Sequence, residues 1–234
     1  MKYFYKKLSP LEYDDINLIE AFNFVVNSKS AWVTTPNIDG ICKLFQDKNL
    51  ISICSGANLI LNDSRVFQII TKIFFKKIKN VVRGSDLTSL IIKNTNKKKI
   101  LIFGNKVNLN KLYKINNNNE YYQIEATFNK NDIKKDCENI LVLLNSNKID
   151  ILFLCGGFPY SEKIASTIYK KTKNLKILCV GNSINFLIGD VKRSPKFISN
   201  LGLEWLYRAI NEPRLIKRYI GNLKYFFFIF INKN

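Results

Sequence analysis

Asp150-Ile-Leu-Phe-Leu-Cys155 runs into Gly156-Gly157-Phe158-Pro159, and Ser161 to Lys171, Lys176-Ile-Leu-Cys-Val180 and Gly181-Asn182 follow. The first run is strongly apolar without polar alternation, as expected of a strand buried on both faces. Glycine and proline end it. Ser161 to Lys171 is predicted to be a helix, and Lys176 to Val180 a second apolar strand ending in a turn. Strands alternating with helices in this way build a mainly parallel sheet.

The alternation continues upstream. Ile100 to Phe103, ending at Gly104, and Tyr121 to Phe128 are predicted strands, and Asn131 to Asn147 a helix. Ser30 to Thr34 is a short strand, with Asn37 capping a helix to about Asp47. Ile51 to Leu61 is an apolar stretch ending in the strand Leu59-Ile60-Leu61, before a helix from Arg65 to Lys79. A further helix runs from Ser85 to about Asn94. Asn116 to Asn119 reads as a loop with no evident function. Residues 1–29 read as a small leading unit, with Ser9 as a helix cap, Pro10 in the first turn, and a later helical stripe of Ile16, Leu18, Ile19, Phe22 and Val25. Near the other end, Asn200 is a candidate N-cap, and Pro213 breaks the chain between two helices.

The fold expected is α/β: a Rossmann-like, mainly parallel sheet flanked by helices, with a C-terminal helical appendage. The division expected is an α/β catalytic domain over 1–193 and a basic, aromatic appendage over 194–234. Such sheets bind ligands beyond the carboxyl ends of their strands. The turns 35–37, 62–64, 83–86, 104–105, 156–162 and 181–185 all follow strands or strand-like runs, so a subset of them should assemble the site.

Composition narrows the function. The 234 residues carry a net charge of +19, which favours an anionic partner: nucleic acid, membrane or a phosphorylated substrate. The abundance of Lys, Asn and Ile, as in AT-rich coding, weakens that inference. No histidine occurs. Ser-His and Cys-His nucleophiles and His-ligated metal sites are therefore excluded. No D-x-D triplet occurs either, so no metal and no cofactor is expected. The five cysteines are scattered, never in C-x-x-C spacing, and read as reduced core residues. No signal peptide is read at the start, and no run approaches the ~18–20 apolar residues that a spanning helix needs.

Several blocks stand at the expected turns. They are Thr35-Pro36-Asn37, Asp63 after its strand, Arg83-Gly84-Ser85-Asp86-Leu87, Gly156-Gly157 through Glu162, and Gly181-Asn182 through Asn185-Phe186 to Gly189. The most specific lie late: Arg193-Ser194-Pro195, Gly202-Leu203-Glu204-Trp205 with Arg208, Glu212-Pro213-Arg214, and Arg218-Tyr219. Locally, Thr35 and Asn37 could present a hydroxyl and an amide at a helix N-terminus or simply cap it. Asp63 could serve as a base or cap the next helix. Asp86 could orient substrate or favour the helix N-terminus. Gly-Gly could admit a nucleotide or mark a turn. The arginines could bind a diphosphate or form a solvated basic face.

Taken together these blocks resemble the WecG/TagA/CpsF glycosyltransferases, whose members read T-P-N, D-G, G-x-D-L, G-x-P-K/R-Q-E, G-G-x-F-D-x-x-x-G, R-A-P, G-L-E-W-x-x-R, E-P-x-R and R-Y. The resemblance spans about Thr35 to Tyr219 and is strongest at 193–219. Ser64 replaces the Gly of D-G, Tyr160 and Ser161 replace the K/R-Q pair, and Asn185 replaces an Asp. The resemblance implies a metal-independent, inverting enzyme. It would move an N-acetylmannosamine-type sugar, or its uronic acid, from UDP to an undecaprenyl-diphosphate-linked sugar, for teichoic acid, enterobacterial common antigen or capsule synthesis. It implies Asp63 as general base. The substrate-binding residues it implies are Thr35, Asn37, Arg83, Ser85, Asp86, Gly156, Gly157, Glu162, Asn185, Arg193, Arg208, Arg214 and Arg218.

Leu215, Ile216, Tyr219, Ile220, Leu223, Phe226, Phe227 and Phe230 recur at helical spacing, with Lys217, Arg218 and Lys224 off the stripe. That is an interfacial amphipathic pattern, expected to seat the enzyme on the inner face of a bacterial plasma membrane; the alternative is a buried tail helix. Two rival functions stand beside the transferase: a catalytically degenerate nucleotide- or lipid-binding relative, and a nucleic-acid-binding protein, for which no motif exists.

Overall fold

The computed structural model describes residues 2–4, 9–74, 78–217 and 219–222. Two short strands open the chain, β1 (Lys2–Phe4) and β2 (Glu12–Asp14), paired antiparallel. The helix expected at Ser9-Pro10 is absent. Ser9 Oγ accepts instead from the Leu11 amide at 3.3 Å and lies 3.2 Å from the Tyr13 hydroxyl, a local turn that competes with helix. Nor does this segment stand apart: Asp14 Oδ2 accepts the Ile60 amide at 2.9 Å. Helix α1 (Leu18–Asn27) begins with a full capping box of Asn17 and Glu20.

Then come β3 (Ala31–Thr34), α2 (Ile38–Gln46), α3 (Lys48–Ser55), β4 (Leu59–Ile60), α4 (Arg65–Phe74), α5 (Gly84–Asn94), β5 (Lys99–Gly104), α6 (Leu109–Ile115) and β6 (Glu120–Glu125). A 3₁₀ turn (Lys130–Asp132), α7 (Ile133–Asn147), β7 (Ile151–Leu154), α8 (Tyr160–Lys171), β8 (Lys176–Cys179), α9 (Ser183–Leu187), α10 (Lys196–Asn200) and α11 (Glu204–Asn211) follow. A second 3₁₀ turn is at Pro213–Leu215. The apolar stretch from Ile51 begins inside helix α3, capped by Asp47, and only Leu59 and Ile60 near its end form strand. Asn200 ends α10 rather than capping α11; Leu203 holds the cap position. The chain turns at Glu212, as Pro213 requires.

Six strands form one sheet in the order β4-β3-β8-β7-β5-β6, every pair parallel. Alternate residues of the central strands feed two cores. Leu101, Phe103, Leu152, Leu154 and Ile177 face one, with Ile140 and Leu144 of α7 and Ile164 and Ile168 of α8. Ile100, Ile102, Ile151, Phe153 and Leu178 face the other, with Ile91 and Ile92 of α5 and Leu112 of α6. Both faces are buried, which explains the unbroken apolar runs. The asparagine run is structural: Asn116 and Asn119 are buried, and their Nδ2 groups donate to the Thr95 carbonyl at 2.8 and 2.9 Å.

The strand order switches direction between the parallel neighbours β3 and β8. After β3 the chain crosses outward to β4 through α2 and α3, and after β8 it enters α9, packed on α5. A crevice at such a point lies outside the carboxyl ends of the strands.

Candidate active site

A cavity of about 530 Å³ occupies that crevice. The loops after all six sheet strands line it, and α11 with the turn after it supplies a further wall. The wall is fastened to the sheet domain. Arg65 Nε donates to the Asn200 carbonyl at 3.0 Å and Arg83 Nη2 to the Ser199 carbonyl at 3.3 Å. Gly202, at φ +78°, sits so close that a Cβ would lie 3.4 Å from Ile69 and Val66 of α4.

Asp63 lies in this cavity. It does not cap α4: the Ser64 hydroxyl accepts the Phe67 amide at 3.1 Å, and Asn62 Oδ1 accepts the Ser64 amide at 2.9 Å. Ser64, where the family has glycine, therefore does the capping and leaves Asp63 free of hydrogen bonds among the described residues. Around Asp63 stands a cluster of alternating charge. Arg193 bonds Asp86 at 2.5 Å, Arg83 lies 4.0 Å from Asp86 and 3.8 Å from Glu204, and Glu204 accepts from Ser199. Burial raises the Asp63 pKa well above the carboxylate range; Glu204 and Asp86 add to the rise, and Arg83 and Arg193 oppose it. A basic carboxylate in a cleft, short of partners, is what proton abstraction needs.

Glu162, in the first turn of α8, is 4% exposed. Thr34 Oγ1 donates to its Oε1 at 3.0 Å, and its Oε2 is buried without a hydrogen-bond partner. Burial raises its pKa to about 7, against Thr34 and Lys43, which stabilise the charge. Lys43 is held elsewhere, donating to Asp39 at 2.8 Å and to the Phe158 carbonyl at 3.0 Å.

Among the other predicted residues, Thr35 donates to the Cys179 carbonyl at 3.1 Å across the switch point. Asn37 caps α2 through Oδ1, bonded to the Gly40 amide at 3.2 Å, and lines the cavity. Arg83, Ser85, Gly156, Gly157 and Arg208 also line the cavity. Gly156 has no room for a side chain, since a Cβ would meet Ser161 and Tyr160 at 2.9 Å, whereas Gly157 faces open space. Arg208 lies 5.9 Å over the Phe186 ring and bonds Glu212 at 3.2 Å, and its Nε is buried without a partner.

Asp86, Asn185 and Arg193 are not among the residues that line the cavity. Asp86 and Arg193 act on one another and on Asp63. Asn185 donates to Asn182 Oδ1, and Asn182 lines the cavity. The departure from Asp at 185 thus falls beside the lining residue Asn182 rather than on the lining itself. Arg218 and the side chain of Arg214 lie outside the described residues.

The cavity also contains residues that the sequence reading did not single out: Asp39, Asn105, Phe128 and Phe186. Asn105 was legible only as the residue after a strand ending in Gly104. Phe128 reads in sequence as the end of a strand, but the strand stops at Glu125 and Phe128 has φ +54°. None of the described helices is long and apolar enough to cross a membrane.

Comparison with known proteins follows the same residues. The sequence matches the glycosyl transferase WecG/TagA/CpsF family over residues 7–234. It is 23% identical over 205 residues to the N-acetylglucosaminyldiphosphoundecaprenol N-acetyl-beta-D-mannosaminyltransferase of Bacillus subtilis (strain 168), covering 87% of this chain and 80% of that protein. It is 24% identical over 206 residues to the enzyme of the same name from Bacillus spizizenii (strain ATCC 23059 / NRRL B-14472 / W23), covering 86% and 79%. With a strand-end carboxylate facing a crevice walled by the Gly202–Glu212 block, this chain belongs to the WecG/TagA/CpsF family of glycosyltransferases.

Proposed function

We propose that the protein transfers an N-acetylmannosamine-type sugar, or its uronic acid, from a UDP-sugar to a polyprenyl-diphosphate-linked amino sugar, with inversion and without a metal ion, in cell-surface polysaccharide synthesis. The acceptor class follows the names of the two Bacillus enzymes. The observation that carries the reading is Asp63: a carboxylate of raised pKa, without hydrogen bonds among the described residues, in the cavity at the strand ends of a parallel sheet.

In this reading the acceptor hydroxyl oxygen attacks the anomeric carbon while its proton passes to Asp63. The bond from that carbon to the diphosphate oxygen breaks, and UDP leaves from the opposite face. Arg83 and Arg193 are committed to Asp86 and Glu204, so they set the charge around the base rather than neutralise the leaving group. Arg208, with its unpartnered Nε, is the cation assigned to the diphosphate, joined by Arg214 and Arg218. Thr35, Asn37 and Ser85 are assigned to sugar and phosphate oxygens.

The segment 194–234 is assigned to the inner surface of the plasma membrane, where the lipid-linked acceptor resides. Phe197, Leu201, Ile210 and Ile220 are all more than half exposed, and between Lys192 and Asn234 nine basic residues stand against two acidic ones. The test is a donor screen, in which UDP-sugars are incubated with a short-chain lipid-diphosphate acceptor and the lipid product is weighed by mass spectrometry. A single hexosamine added from one UDP-sugar is expected; no product from any UDP-sugar would overturn the reading.

A further inference from the structure

The C-terminal wall reaches the proposed base through one cation. Arg83, at the N-cap of α5, lines the cavity together with Asp63. Each nitrogen of its guanidinium has a partner elsewhere. Nη1 lies 4.0 Å from Asp86 Oδ2, Nη2 donates to the Ser199 carbonyl at 3.3 Å, and Nε lies 3.8 Å from Glu204 Oε2. Ser199 and Glu204 belong to the wall, and Glu204 is the charged member of that pair.

Glu204 is placed by the turn before it. Gly202 takes φ +78° against α4, α11 begins at Glu204, and the Ser199 hydroxyl donates to its Oε2 at 3.3 Å. An acid in the first turn of a helix complements the helix dipole, and Leu203 offers no side-chain cap there. That local role needs no partner from another element. The carboxylate nevertheless faces Arg83, and both line the cavity with Asp63.

The competing partner for Arg83 is Asp63. Among the described residues the charged groups that act on Asp63 are Glu204 of α11, Arg83 and Asp86 at the start of α5, and Arg193 before α10. Arg193 is held by Asp86 at 2.5 Å. Arg65, two residues on from Asp63, is held by the Asn200 carbonyl and Gln68. Arg83 is thus the cation whose pairing the wall decides. A guanidinium beside an Asp lowers its proton affinity roughly ten- to thousandfold, and a carboxylate so paired is a poor general base.

We propose that Glu204 is a positioning residue for the base: it draws the Arg83 guanidinium toward α11 and away from Asp63, so that Asp63 is a competent proton acceptor only with the C-terminal wall in place. This rests on the reading of Asp63 as the base. It gives the wall a part in the chemistry apart from holding substrate or meeting a membrane.

The experiment follows the Asp63 carboxyl by carbon NMR through a pH titration of the full-length protein, isotopically labelled at its Asp carboxyl carbons. The signal is assigned by its absence from Asp63→Asn. The proteins compared are wild type, Glu204→Gln, Arg83→Gln and the double variant. Glutamine keeps the length of glutamate and removes its charge. The Asp63 midpoint is expected to fall by about one pH unit or more in Glu204→Gln, and the acid limb of the pH profile for transfer should fall with it. Without Arg83 there is no guanidinium to release, so Glu204→Gln should move the midpoint less in the Arg83→Gln background. An unchanged midpoint in Glu204→Gln, whatever its thermal stability, would overturn this inference and leave Glu204 a helix-start residue. An equal fall in both backgrounds would also overturn it, because Glu204 would then act on Asp63 without Arg83. Transfer by Asp63→Asn at the wild-type rate would overturn the base reading and this inference with it.

Discussion

At the scale of single residues, two carboxyl groups in the cavity, half-buried Asp63 and buried Glu162, carry different signatures. Among the described residues Asp63 makes no hydrogen bond, and it sits in a field of two acids and two guanidiniums. Replacing it with Asn keeps the shape and removes the proton acceptor. Transfer should fall ~10²–10⁴-fold in Asp63→Asn, measured as single-turnover product, while UDP binding stays near wild type. Glu162 carries a different signature. Its folded pKa is about 7 against an ordinary 4.5, so between those values the folded state binds more protons than the unfolded one. The stability that Glu162 contributes is then greatest below about pH 4.5 and declines as pH rises through about 7. The decline from this one group is about 3 kcal/mol. Glu162→Gln keeps an oxygen for the Thr34 hydroxyl and cannot ionise. Urea unfolding at pH 5 and pH 8 should show the mutant losing less stability than wild type across that interval.

Elements show how much of the molecule was legible in its sequence. The strands around Ile102, Phe153 and Leu178 were readable because both faces are buried and the pattern is an uninterrupted apolar run. The loops lining the cavity were legible as the turns after those strands. Three places were not. The Ser9-Pro10 pair mimics a helix start, but the Ser9 hydroxyl bonds backwards into a turn that feeds β2. Ile51 to Leu61 reads only as an apolar stretch ending in strand, yet Asp47 caps a separate helix over Lys48–Ser55 that takes its first five residues. The left-handed turn at Phe128 follows Thr127, whose amide and hydroxyl bond Asp136 nine residues further on, which no local pattern announces. The change from glycine to serine at 64 becomes clear only at this scale, since the hydroxyl caps α4 directly beside the proposed base. Ser64→Ala should destabilise the protein by ~1 kcal/mol and Ser64→Gly by only a few tenths, read from urea midpoints at constant m-value.

Across the whole molecule, the sheet supplies the floor of the cavity and the C-terminal helices supply its wall. The expected boundary at 193 separates the two in sequence but not in contact. Glu204 faces Arg83, Ser199 accepts from Arg83, and Gly202 packs on α4. The segment 194–234 therefore combines two roles that can be separated. Its first part, through Asn222, lines the cavity with Glu204, Trp205, Arg208, Glu212 and Tyr219. Its last part contains Tyr225-Phe-Phe-Phe-Ile-Phe-Ile231, the most aromatic run of the chain and too short to span a bilayer. A chain ending at Ser194 should bind UDP weakly and transfer no sugar, even to a soluble short-chain acceptor, because the Glu204 and Arg208 side of the cavity is gone. A chain ending at Asn222 should keep most transfer to that soluble acceptor, fail to float with anionic liposomes, and lose transfer to a long-chain acceptor held in them. Normal transfer by the shorter chain would confine the wall helices to anchoring. Loss of soluble-acceptor transfer by the longer one would show that the aromatic run takes part in closing the cavity.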